Sequence, residues 1–113
     1  MATSPASRKT TRPARGSRSG RPIMLLLELL GRRWALRVLW ELRDGRRTFR
    51  GLQEACDGVS PAVLNGRLRE LRDANLVELA EGEGYGLTTL GKDLQARFLP
   101  LVAWSERWAK TLG

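Results

Sequence analysis

A mainly α-helical chain carrying one small β-hairpin is predicted by three observations. Leu64, Leu68 and Leu71 recur at helical spacing behind Ser60-Pro61, a strong helix start. A shorter helical stretch, Thr48–Cys56, precedes it across a tight turn, Asp57-Gly58-Val59. Two alternating runs, Leu76–Ala80 and Tyr85–Thr88, flank the turn Glu81–Gly84 and read as paired strands.

Residues 1–21 are rich in Ser, Thr, Pro, Gly and Arg without apolar periodicity. Such a segment cannot bury enough surface to offset the entropy of ordering, so a disordered tail is expected. It reads either as a basic arm for phosphates or a minor groove, or as a solvated extension. An acid-free, Arg/Ser-rich start also resembles an organellar transit peptide. A signal peptide fits poorly, because Glu28 interrupts the apolar run and Arg32-Arg33 follow it. The folded part is expected to span 22–113.

Pro22 opens a helix through Leu30 that is apolar on most sides, and Gly31 marks a break. Arg32–Leu42 is predicted as the second helix. Ala35, Val38, Leu39 and Leu42 form its main stripe, and Leu36 with Trp40 a second one; a helix apolar on two faces lies between partners. Asp44-Gly45 ends it. Thr48 suits an N-cap, with Phe49, Leu52 and Cys56 turned inward. Asn75 suits a left-handed residue after the long helix. Thr88 or Thr89 caps a last helix in which Leu90, Leu94, Phe98, Leu101, Trp104, Trp108 and Leu112 form one stripe, kinked at Pro100. That stripe exceeds what so small a core needs. Ile23, Leu26, Leu27, Leu101, Trp104 and Trp108 are therefore the expected homodimer interface, built on the extra N- and C-terminal helices.

Composition removes most chemistry. Histidine is absent and Cys56 is the only cysteine, so hydrolytic triads, Cys–His nucleophiles and His or Cys metal sites lack their parts. No enzyme, catalytic residue, cofactor or metal is expected. A cytoplasmic location is expected, and nothing approaches a membrane span. The net charge is +8, of which the first 21 residues hold six cations and no acid. The remainder sets 14 cations against 12 acids and is only mildly basic.

A short helix, a glycine turn and a capped helix with an arginine-rich outer side form the layout of a DNA-binding helix-turn-helix, and the hairpin after it makes the domain a winged helix. The candidate DNA contacts on the second helix are Ser60, Ala62, Asn65, Gly66, Arg67, Arg69 and Arg72. Those at the start of the first are Arg46, Arg47, Thr48 and Arg50, beside a helix N-terminus suited to phosphate. Asn65 suits adenine and Arg69 guanine. Arg67 either holds phosphate or pairs with Glu70. Cys56 reads as a small core residue rather than a sensor. Glu81 and Glu83 would be repelled by phosphate, so the wing tip is not expected to grip DNA.

Leu-Leu-Gly-Arg-Arg-Trp-Ala-Leu-Arg-Val-Leu at 29–39 resembles the opening of the HxlR-type transcriptional regulators. Arg47–Leu52, Gly58–Leu71, Ala74–Val77, Tyr85–Thr88 with Gly91, and Trp104 or Trp108 follow in that family's order. The resemblance covers about residues 22–110. It implies a winged-helix homodimer that binds a double-stranded DNA operator and controls transcription. Members that sense oxidants carry a cysteine just before the first proline of the domain, where this chain has Arg21, so redox sensing does not carry over. The wing is shorter and more acidic than is usual there, and Ala62 replaces a common long polar residue. The competing expectation is a winged helix used for protein–protein contact, with only non-specific DNA binding.

Overall fold

The computed structural model describes residues 21–113. The disorder expected of the basic tail therefore lies outside the described residues, apart from Arg21. Among the described residues six helices and one hairpin follow in the order α1 (Pro22–Leu30), α2 (Ala35–Glu41), α3 (Phe49–Ala55), α4 (Pro61–Asp73), β1 (Val77–Ala80), β2 (Gly84–Leu87), α5 (Thr89–Phe98) and α6 (Pro100–Lys110). The strands pair antiparallel, with Val77 opposite Leu87 and Ala80 opposite Gly84.

Each capping residue read from the sequence does its work through one hydrogen bond. Thr48 Oγ1 accepts from Gly51 N–H at 3.0 Å, Ser60 Oγ from Val63 N–H at 3.2 Å and Thr88 Oγ1 from Gly91 N–H at 2.9 Å. Each satisfies a donor that the first helical turn leaves open. Asn75 takes the left-handed conformation expected of it, with φ +66°.

The core is an α2, α3, α4 and hairpin cluster. Val38, Leu42, Leu52, Leu64, Leu68 and Leu71 are its most buried large side chains. Cys56 sits among them, fully buried. Burial pushes its thiol pKa up, because the thiolate would lose its solvation. Alkylation of Cys56 in the native protein is expected to run more than about 100-fold slower than in the denatured chain, at a rate that tracks opening. Quenched mass spectrometry across a denaturant series checks this. The raised pKa also sets a sign. Cys56 contributes stability below the ordinary thiol range, and that contribution is lost as pH climbs from there toward the raised value.

Two helices differ from the sequence expectation. The second begins at Ala35, not Arg32. Residues 32–34 form a turn closed by Ala35 N–H donating to Arg32 O at 3.0 Å. Trp34 is its left-handed residue, φ +79°, and its indole packs on the core. Burial of that large ring offsets an unfavourable backbone. The C-terminal stripe lies on two helices rather than one kinked helix. Pro100 has no N–H to donate to Ala96, so α5 ends at Phe98 and Pro100 occupies the first turn of α6.

The surplus apolar surface lies outside the core. Ile23, Leu27, Leu101, Trp104 and Trp108 are each about half exposed, whereas Leu26 is half-buried against the core. Trp104 and Trp108 stack, with centroids 6.1 Å apart. Leu36 and Trp40 are also exposed, and border a cavity of about 490 Å³ between α2, α5 and α6. Among the described residues, no helix is long and apolar enough to cross a membrane.

Candidate nucleic-acid interface

The turn between α3 and α4 reverses the chain through two consecutive left-handed residues, Asp57 at φ +52° and Gly58 at φ +95°. Arg37 ties that turn down. Its guanidinium donates to Glu41 at 2.8 Å, to Ala55 O at 2.8 Å and to Asp57 at 3.2 Å. Glu41 foremost, and then Asp57, raise its pKa above the ordinary arginine value, so it is a fixed cation joining α2 to the turn.

Rotation of 100° per residue places Ala62, Asn65, Arg69 and Arg72 within one narrow arc of α4. Leu64, Leu68 and Leu71 fall on a separate arc, centred about 110° away, and are buried. All four outward residues are exposed. Gly66 lies beside them, and a Cβ there would meet nothing within 4 Å, so that stretch of helix is open to close approach. Among the described residues Arg69 and Arg72 enter no ion pair, and with Asp73, Val77, Glu78 and Leu79 they line a recess of about 440 Å³ between α4 and the wing.

The remaining candidate arginines are compensated inside the molecule. Arg67 is mostly buried. Only 14% of its side chain is exposed, and Nη1 donates to Glu70 at 2.7 Å. Glu70 also holds Arg32 at 3.3 Å. Of the two readings for Arg67, the pairing with Glu70 is the one formed. Arg47 Nε donates to Glu41 O at 2.8 Å, and its backbone exchanges two hydrogen bonds with Tyr85, at 2.9 and 2.8 Å. Arg46 is drawn to the wing, where it pairs with Glu78 and Glu83 and donates to Gly84 O at 3.1 Å. Arg50 is the most exposed of the group, with 88% of its side chain in solvent and Glu54 at 3.8 Å. Ser60 and Thr48 are occupied as caps, though exposed.

Sequence reasoning missed that residues 46 and 47 join the wing. The two glycines of β2 allow it: a Cβ at Gly84 would fall 2.4 Å from Arg47 O, and one at Gly86 would fall 2.8 Å from Arg46 Cγ. The Gly84-Tyr85-Gly86 pattern was the available signal, since glycine flanking a strand residue marks close approach of another segment.

A capped, outward-facing recognition helix, the preceding helix and an attached hairpin together define a winged-helix DNA-binding protein. The chain belongs to the HxlR-like helix-turn-helix family, whose model matches residues 29–112. It is 34% identical over 88 residues to the HTH-type transcriptional regulator YodB of Bacillus subtilis, covering 73% of this chain and 79% of YodB. It is 29% identical over 89 residues to an uncharacterized HTH-type transcriptional regulator of Methanocaldococcus jannaschii, covering 75% and 83%. The crystal structure of quinone-bound YodB superposes with a TM-score of 0.69, covering 77% of this chain and 98% of that one. A possible HxlR family transcriptional factor from Thermoplasma volcanium, 26% identical, gives 0.70 over 80% and 86%. The protein is thus a helix-turn-helix transcriptional regulator and not an enzyme.

Proposed function

We propose that this regulator acts as a homodimer on a two-fold-symmetric DNA operator, reading sequence with α4. The observation that carries the reading is the outward arc of α4, where Asn65, Arg69 and Arg72 stand exposed, with no ion pair on either arginine among the described residues. Asn65 would pair with adenine and Arg69 with guanine in the major groove, and Arg72 and Arg50 would hold phosphates. The exposed stripe of Ile23, Leu27, Leu101, Trp104 and Trp108 supports self-association, because such a surface is a liability in a monomer. Two recognition helices would then meet half-sites about 34 Å apart. Residues 22–113 form the DNA-binding unit in this reading, and the basic residues 1–21 add sequence-independent attraction to phosphate. The cytoplasm is the compartment this role requires.

DNA selection at physiological salt, run with the full chain and with a 22–113 fragment, tests the proposal. Enrichment of a two-fold-symmetric site by both supports it. Binding without preference, and only with the tail, overturns it in favour of a protein-interaction module. On the enriched site, Arg69→Ala is expected to weaken binding by about 1–3 kcal/mol and to relax selectivity at one base pair. Equal loss on every sequence would reduce Arg69 to a phosphate contact.

A further inference from the structure

The recess between α4 and the wing brings opposite charges together without pairing them. Arg69 and Arg72 line it alongside Asp73 and Glu78, yet neither arginine is bound to either carboxylate. Glu78 turns instead to Arg46, 32 residues away in sequence. The register explains how Arg46 reaches it. Glu78 stands opposite Gly86 on the neighbouring strand, and the stem of Arg46 lies across the space a Gly86 side chain would fill. The same guanidinium collects Glu83 at 3.6 Å and Gly84 O at 3.1 Å. One cation therefore occupies two of the wing's three acids.

We propose that Arg46 is a positioning residue for DNA recognition: by engaging Glu78 and Glu83 it keeps those carboxylates off Arg69 and Arg72, whose charges stay available to DNA. This rests on the reading of α4 as the DNA-contacting helix. It gives Arg46 a role distinct from the phosphate contact that its place before α3 suggests. A long acid released beside two exposed arginines pairs with them, and a paired arginine must exchange that partner before it meets a base or phosphate.

The test is a double-substitution cycle in the full chain, with affinity measured on the selected operator. Arg46→Gln is expected to lower affinity about fivefold, the worth of one exposed ion pair. Adding Glu78→Gln is expected to return it to within about twofold of the starting protein. If Arg46→Gln costs as much in the Glu78→Gln background as alone, Arg46 contacts phosphate directly and the proposal fails. A second arm needs no DNA. The side-chain Nε–H NMR signals of Arg69 and Arg72 should shift in Arg46→Gln and return in Arg46→Gln/Glu78→Gln; signals that stay put overturn the proposal. Failure to select any operator would sink the DNA reading, while the NMR arm would still decide where Glu78 goes.

Discussion

Leu68→Ala is expected to lower the free energy of unfolding by about 2–5 kcal/mol, a large share of the roughly 5–15 kcal/mol that holds a domain of this kind. Leu68 sits on the buried arc of α4, is only 1% exposed, and packs in the cluster that joins α2, α3 and the hairpin. Truncation removes apolar burial and leaves a hole that these elements cannot all close at once. Urea unfolding followed by circular dichroism measures the loss. Leu101→Ala provides the contrast. Leu101 is 49% exposed, so the same substitution should cost the isolated fold little, and any loss should depend on protein concentration. A Leu68→Ala effect under about 1 kcal/mol would mean that the core lies elsewhere.

Gly91→Ala is expected to destabilise the protein by at least about 2 kcal/mol, although alanine is the better helix former. A Cβ at Gly91 would stand 2.1 Å from Leu76 O and 3.1 Å from its carbonyl carbon, both backbone atoms that cannot rotate away. Leu76 O accepts from Thr88 N–H at 3.1 Å, and Thr88 Oγ1 donates to Asn75 O at 2.7 Å while accepting from Gly91 N–H. The methyl group would therefore push α5 off the segment that leaves α4, and those hydrogen bonds would stretch together. The readouts are a lowered denaturation midpoint and faster amide exchange at Thr88. A rise in stability, as helix propensity alone predicts, would refute the steric account.

Local chemistry made most of the fold legible. Ser60-Pro61, Thr48 and Thr88 act within three residues of themselves, so their hydrogen bonds could be read directly. Leu64, Leu68 and Leu71 announced the inner side of α4 by spacing alone, and the outer arc followed from it. What stayed hidden depends on partners distant in sequence. Trp34 leaves the helical region because the core has a place for its indole, which no local pattern encodes. Arg46, Arg47 and Arg67 looked alike as surface cations, yet each is held by a different acid or carbonyl. Glu70, three residues beyond Arg67, was the one local hint. In the proposed reading the interface therefore centres on Asn65, Arg69 and Arg72 of α4, with Arg50 at its margin, while Arg46, Arg47 and Arg67 engage partners within the molecule.

The interruption at Pro100 turns α6 into a lever. Leu99 alone links it to α5, and the 11 residues beyond extend about 16 Å at ordinary helical rise. A change of ten degrees in the direction of α6 moves its far end by about 3 Å without altering any side chain on its surface. In the proposed homodimer, one or two backbone torsions would therefore re-aim the tryptophan-bearing arm, and the separation of the two copies of α4 would shift while the outward residues of α4 stayed the same.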